Sequence, residues 1–312
     1  MMLVLETLLP VFLLIGLGFV LVRAGWVPAE SWRGVEQLGY FVLFPALLAQ
    51  TLITSDIRSL PLSGMAVTIV GAFLAVALGL LAFQTLLMSW LGMNGPAFSS
   101  LFQSATRWNS FIALPILAKL EGPQGVALVA VIMAALVPVA NVFAVMVVSR
   151  NAAGAKPSLR NTLRAVARNP FIIAIAAGLL INFLRLPVYP PVLTTLSMLG
   201  TASIPTGLLV VGAGLAGTSL KHMAPALWAS AGLKLLATPA LALLIGLSLG
   251  VSGPALMACL VCAGVPTAMS SYVLARQMGG DAPLVASALT VQTVASFFTL
   301  PVVIVAGRAC GG

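Results

Sequence analysis

The chain has 312 residues, of which 61% are hydrophobic and 7% charged, and its mean hydropathy is +1.14. A soluble domain has about 45–50% apolar and about 25% charged residues, so the composition excludes soluble classes and predicts an integral membrane protein. The formal net charge of +9 comes from basic residues scattered among the loops between apolar segments. This distribution is typical of cytoplasmic loops in membrane proteins, and we expect no nucleic-acid partner.

Apolar segments separated by glycine, proline and polar residues predict an all-α membrane protein with about ten transmembrane helices. The segments are long enough to cross about 30 Å of hydrocarbon and lack the short alternating strands of outer-membrane barrels. The first segment lacks a basic n-region and a small-residue cleavage site, so we expect a span and not a signal peptide. The predicted spans are 3–22, 35–54, 63–90, 97–119, 123–149, 168–186, 191–217, 223–249, 254–277 and 282–306.

One long hydrophilic connection, SRNAAGAKPSLRNTLRAVARNP, separates the fifth and sixth spans and contains basic residues but no acidic one. On the membrane side where it lies, the loops hold nine basic residues, against four on the opposite side. Because cytoplasmic loops carry the excess of Lys and Arg, we expect a multi-pass protein of the inner cell membrane with a cytoplasmic central loop and both termini outside. The predicted organisation is a first five-helix repeat (1–150), a cytoplasmic linker (151–167) and a second five-helix repeat (168–312).

The two halves of the sequence resemble each other. GLGFVLVRAGWVP (16–28) and GLLINFLRLPVYP (178–190) share glycine, leucine, arginine and proline at matching places, and Pro45 corresponds to Pro205. Five spans is an odd number, so the second copy must have the opposite orientation in the membrane. This pattern predicts the inverted repeat of many secondary transporters.

Two corresponding spans contain polar residues and helix breakers. Span four includes SSLFQSATRWNSFIALP, which ends at Pro115, and span nine includes Gly264 and Pro266 before a polar run. Proline removes a backbone N–H and clashes with the preceding turn, so we expect both helices to kink or unwind at these prolines, near mid-membrane. Paired interrupted spans in two halves are the best sequence indication of a transporter's binding site.

The residue types around these interruptions favour an anion. A helix that begins inside the membrane presents unpaired N–H groups, and an arginine side chain provides a planar fork suited to a carboxylate. Each residue type also has a structural alternative to a role in binding. The prolines could only kink their helices, and Ser and Thr could pack between helices. The partner of Lys234 could be a backbone carbonyl or Glu36. The predicted substrate-binding residues are Arg107, Asn109, Ser110, Pro115, Lys234, Pro266, Thr267, Ser270, Ser271 and Tyr272.

Acidic residues are scarce and lie near span ends or in loops, so a proton relay through a mid-membrane carboxylate has no evident carrier. Coupling to Na⁺ or H⁺, or uncoupled movement, therefore stays open, and we expect no cofactor. The expected partners are a small organic anion and the lipid bilayer. Whether the protein forms a homodimer is also left open.

The stretches RWNSFIALPI in span four and VPTAMSSYVLARQMGGDAPLVASALTVQTVASFFTLP in spans nine and ten resemble the auxin efflux carrier family. That family includes plant auxin carriers and bacterial permeases for small organic acids such as malonate and malate. The resemblance covers the whole chain, and the short central loop is similar to that of bacterial members. It implies a scaffold domain and a transport domain, broken spans four and nine that cross near the substrate, and an elevator-like movement. The family's crossover asparagine and proline fall on Asn109 and Pro115, and the proline of its second crossover falls on Pro266.

The function that we expect is a secondary transporter for small organic anions such as carboxylates, working by alternating access. The nearest alternative is a sodium-coupled symporter of the bile-acid type, which shares the crossover architecture. An anion channel or facilitator would need rings of like residues and a continuous pore. An intramembrane enzyme lacks support, because the sequence has no HExxH or GxSxG motif.

Overall fold

The computed structural model describes residues 2–55, 62–151, 164, 167–216 and 225–311, and the secondary structure of these residues is entirely helical. The helices are α1 (Met2–Arg23), α2 (Ser31–Thr54), α3 (Leu62–Ala82), α4 (Gln84–Trp90), α5 (Gly95–Thr106), α6 (Ser110–Asn151), α7 (Pro170–Phe183), α8 (Pro190–Ala216), α9 (Pro225–Ser248), α10 (Gly253–Gly264), α11 (Met269–Met278) and α12 (Ala282–Gly311). Most of the predicted linker lies outside the described residues.

Many of these helices have the length and composition of membrane spans. Six described stretches are long and apolar enough to cross a membrane, or seven if α10 and α11, which bend by 42° across a short break, count as one span. Leu8–Arg23 of α1 and helix α7 are shorter apolar helices. The prediction of an all-α membrane protein is therefore confirmed, whereas the count of ten spans and the inverted repeat stay predictions.

Helices α2 and α9 each contain one widened turn. Gly39–Leu43 and Leu233–Ala237 are π-helical, and a proline follows two residues after the end of each, at Pro45 and Pro239. A proline cannot donate a hydrogen bond to the carbonyl one turn earlier, and its ring clashes with that turn. A locally wider turn accommodates the proline without ending the helix.

Helix α6 changes direction at Gly122, where the backbone leaves the helical region (φ 60°, ψ −146°). Only glycine adopts such a conformation without strain. The position falls between the predicted fourth and fifth spans, so it divides the long helix where the sequence predicted a boundary.

Close backbone contact joins α1 to α8. A Cβ atom on Gly18 would lie 2.1 Å from the carbonyl oxygen of Leu209, and one on Gly212 would lie 1.8 Å from that of Ile15. Both distances are far inside van der Waals contact, so these two positions require glycine. Small residues that allow such an approach are a common means of helix association in membranes.

The helices form two packing groups. The first, which we call the scaffold group, consists of α1, α2, α7 and α8, where α1 packs on α8 and α2 packs on α7 and α8. The second, which we call the crossover group, consists of α3–α6 and α9–α12, which pack on one another. Contacts between the groups are fewer than contacts within them. The chain passes from one group to the other three times, after α2, after α6 and after α8.

Candidate functional site

The first break separates α5 from α6 at residues 107–109. Helix α5 ends with the N–H of Arg107 bonded to the carbonyl of Gln103, after which the Arg107 backbone is extended (φ −79°, ψ 158°). The side-chain Oδ1 of Asn109 accepts a hydrogen bond from the N–H of Phe111 at 3.0 Å, so Asn109 caps the start of α6.

Pro115 does not mark this break. It lies buried inside α6, one and a half turns after Asn109, so the expectation that the helix unwinds at Pro115 is wrong. A proline at this position removes one helical bond, the one to the carbonyl of Phe111, and α6 continues through it.

The second break separates α10 from α11 at residues 265–268. Val265 has almost the same extended backbone as Arg107 (φ −69°, ψ 154°), and Ala268, which precedes α11, makes no side-chain cap. Pro266 lies inside this break.

The two breaks contact each other directly. The backbone N–H of Asn109 donates to the carbonyl of Pro266 at 2.9 Å, and the Arg107 Nη2 donates to Ser270 Oγ at 3.0 Å. The first bond gives each break a partner for a backbone group without a helical bond, and the second joins the first break to the start of α11.

A buried polar network lies behind this crossing. The Oε1 of Gln292 on α12 accepts the N–H of Thr267 at 2.9 Å, and its Nε2 donates to the carbonyl of Ser104 on α5 at 3.0 Å. The hydroxyls of Thr267 and Ser271 lie 3.2 Å apart, and both residues have 0% exposure. One side chain thus connects both broken helices to α12.

A cavity of about 630 Å³ lies in front of the crossing, between the two packing groups. The scaffold group contributes side chains of α2 and the start of α7, and the crossover group contributes both breaks, α6 and α11. The volume falls within the range of small-molecule sites. Its lining comprises Arg33, Glu36, Gln37, Tyr40, Phe41, Arg107, Trp108, Asn109, Ser110, Phe111, Met133, Val137, Ala140, Asn141, Val145, Asn169, Phe171, Ala268, Met269, Ser270, Val273, Leu274 and Gln277.

One hydrogen-bond donor in this lining has no acceptor, and one cation in it has no ion-pair partner, among the residues that the structure describes. The Nδ2 of Asn109 is buried and has no hydrogen-bond partner in the described part of the chain, while its Oδ1 is occupied by the α6 cap. Among the described residues, Arg107 forms no ion pair with a carboxylate, and Ser270 is its hydrogen-bond partner. The residues of the crossing that line the cavity therefore include a cation and an amide without a partner.

Comparison with known proteins agrees with this architecture. A family model described as membrane transport protein matches residues 3–304, nearly the whole chain. The chain belongs to the auxin efflux carrier family. Among curated proteins, no sequence matches it. Membership in the auxin efflux carrier family makes the chain a multi-pass membrane transport protein, which disfavours the intramembrane-enzyme alternative.

Four of the predicted site residues line the cavity of this auxin efflux carrier family member, namely Arg107, Asn109, Ser110 and Ser270. Pro266, Thr267 and Ser271 instead form the junction of the two breaks and the network behind it. Tyr272 is half-buried and lies outside the cavity lining.

Lys234 also lies away from the cavity. Its side chain is 2% exposed, and its Nζ donates to the carbonyl of Ala263 at 2.9 Å, at the carboxyl end of α10. A cation at this end of a helix is stabilised by the unpaired carbonyls and by the helix dipole. Of the roles that the sequence left open for Lys234, partnership with a backbone carbonyl is the one seen here.

Sequence reasoning did not assign Glu36, Tyr40 or Gln292 to the site. Glu36 and Tyr40 line the cavity from α2, and Gln292 holds the crossing from behind. Polar residues in or near apolar spans, such as Glu36 and Gln292, indicate a functional site or a buried hydrogen bond. Their position next to the two breaks is visible only in the tertiary structure.

Proposed function

We propose that the chain is a secondary transporter for small organic anions such as carboxylates, which bind where the two broken helices cross. The observation that carries the proposal is the pair of donors at the first break. Asn109 and Arg107 both line the cavity, and the buried amide Nδ2 of Asn109 has no hydrogen-bond partner in the described part of the chain.

The energetics favour an anion at this place. A buried donor without an acceptor costs about 1–3 kcal/mol, and hydrogen bonds to charged groups contribute about 1.5–3 kcal/mol. A carboxylate could accept from both Asn109 and Arg107, and its charge would offset that of the guanidinium, which has no ion pair among the described residues. A cation would gain neither contact.

The broken helices support the inverted repeat. GPAFSSLFQSAT (α5) and GPALMACLVCAG (α10) are both 12 residues long, both begin with Gly-Pro, and both are followed by an extended residue. With α5 and the start of α6 as one span, the rest of α6 as the next, and α10 with α11 as another, the helices correspond to the ten predicted spans. Residues 1–150 and 168–312 would then be the two repeats, joined by the linker 151–167.

The two packing groups support alternating access of the elevator type. The cavity lies between the scaffold group and the crossover group, so displacement of the crossover group along the scaffold group would carry the site with it. With the proposed orientation, in an inner cell membrane with both termini outside, Arg33, Asn169 and Gln277 lie towards the cytoplasm. The cavity would then represent the inward-facing state.

Thermal denaturation of the purified protein, followed in the presence of mono- and dicarboxylates, tests the proposal. We expect at least one carboxylate to raise the denaturation temperature, and Arg107→Gln to abolish this shift while the unliganded protein stays folded. Arg276→Gln is the matched control, because Arg276 is exposed and outside the cavity lining. A response to cations or neutral solutes only would refute the anion class.

The same assay, repeated with potassium in place of sodium, tests the coupling ion. A carboxylate response that requires sodium would favour the bile-acid type of symporter. A response independent of sodium would favour proton coupling or uncoupled movement. Measurement of the mass in detergent would test the homodimer, which stays a prediction.

A further inference from the structure

The charges that line the cavity do not cancel. In the described part of the chain, the ionised side chains of the lining are the guanidinium groups of Arg33 and Arg107 and the carboxylate of Glu36. Their sum is a net charge of +1 in a space with a largely apolar wall. Arg33 is exposed to solvent, and Arg107 and Glu36 are half-buried, so a ligand with one negative charge balances the lining and a second negative charge exceeds it.

Glu36 lowers the net charge of the lining from +2 to +1. Its side chain is half-buried, and it forms no hydrogen bond or ion pair with any residue that the structure describes. Arg33 lies one turn earlier on the same helix and Tyr40 one turn later. Helix α8, which packs against the start of α2, has no ionisable side chain between Pro190 and Ala216. Glu36 therefore lines the cavity without a hydrogen-bonded or ion-paired partner among the described residues, and the Arg33 guanidinium is the charge that acts on it.

We propose that Glu36 is a specificity-determining residue that restricts the cavity to monoanions. The inference rests on the proposed function and deepens it. One carboxylate held at Asn109 and Arg107 makes the cavity neutral. A second carboxylate on the same ligand leaves a net charge of −1 and extends towards the α2 wall, where the repulsion of Glu36 offsets the attraction of Arg33 one turn away.

Succinate and its monomethyl ester test this inference, because they have the same backbone and differ by one charge. At pH 8 both carboxyl groups of succinate are ionised. We expect monomethyl succinate to bind the wild-type protein more tightly than succinate. In Glu36→Gln the ratio of the two dissociation constants should shift towards succinate by about tenfold, because a like charge at short range has been removed.

Glu30→Gln is the matched control, since Glu30 is exposed, lies at the start of the same helix and is absent from the cavity lining. It should leave the ratio unchanged. Arg33→Gln should weaken both ligands, because it reduces the net charge of the lining to zero. An unchanged ratio in Glu36→Gln would overturn the inference.

The wild-type comparison keeps the inference testable if Glu36→Gln does not fold. Tighter binding of succinate than of its monoester by the wild-type protein would be enough to refute it. Failure of the proposed function has a different signature, because no carboxylate of either charge would then stabilise the wild-type protein.

Discussion

The backbone N–H of Asn109 donates to the carbonyl of Pro266 at 2.9 Å, so the two interrupted helices are bonded to each other at their breaks. Inside a membrane, backbone groups without a helical partner are tolerated only where protein or a water-filled cavity provides one. This bond satisfies one group from each break and fixes the position of Asn109 at the cavity wall. The remaining donor of Asn109 is its side-chain amide.

Substitution of Asn109 should separate its two roles. In Asn109→Ser the hydroxyl oxygen can still cap α6, whereas the unpartnered amide is lost. We expect the denaturation temperature to stay close to that of the wild type and the carboxylate-dependent shift to disappear. Asn109→Ala should lose the shift and also about 1 kcal/mol of stability, the usual contribution of an N-cap. Retention of the carboxylate shift in Asn109→Ser would show that the amide does not bind the anion.

Replacement of Gln292 should destabilise the crossing. In Gln292→Leu the N–H of Thr267 and the carbonyl of Ser104 lose their side-chain partner, and each buried group left unpaired costs about 1–3 kcal/mol. Thermal denaturation in detergent should show a clear decrease for this variant. Gln277→Leu on α11 is the control, because that side chain is exposed and should change stability little. Equal decreases in the two variants would contradict the role of Gln292.

The contact between α1 and α8 should not tolerate a methyl group. Gly212→Ala places a Cβ against the carbonyl of Ile15, so the helices must separate, at a cost of more than about 2 kcal/mol. Gly16→Ala on α1 is the control, because no atom lies within 4 Å of its added Cβ. Alanine also favours helix over glycine by about 1 kcal/mol, so the control should be neutral or stabilised. The yield of purified protein and its denaturation temperature should both fall in Gly212→Ala and not in Gly16→Ala.

The native cysteines provide a test of orientation. Cys310 is exposed at the end of α12, whereas Cys259 and Cys262 are buried. With the C-terminus outside, a membrane-impermeant maleimide added to intact cells should label the wild-type protein, and Cys310→Ser should abolish the labelling. Labelling only after the cells are opened would reverse the orientation and place the cavity on the outer side.

Much of the helical organisation could be predicted from the sequence, because apolar length and helix-breaking residues are local properties. Gly122 with Pro123 ends the predicted fourth span, and α5 and α10 begin within two residues of their predicted starts. The location of the first break could not be predicted from Pro115, since α6 continues through this proline. The break depends instead on the Asn109 cap and on its bond to Pro266, which joins residues far apart in the chain.

The site was predictable only on the crossover side. Arg107, Asn109, Ser110 and Ser270 flank the breaks, so their sequence context indicated a common location. The opposite wall comes from α2, whose carboxylate Glu36 was assigned to a span end without a role at the site. Whether a span end faces lipid, solvent or a cavity is decided by the packing of other helices, and that information is not local.

The connections between the two packing groups also limit how far one group can be displaced relative to the other. Each displacement of one group relative to the other must be accommodated by the three stretches of chain that join them, and the stretch from Ser55 to Leu62 is the shortest. Fully extended, seven residue steps span roughly 25 Å. If the two groups move relative to each other as we propose, the number of residues between α2 and α3 limits the displacement to about that distance, and shortening this stretch residue by residue should restrict transport before it affects the binding of any ligand.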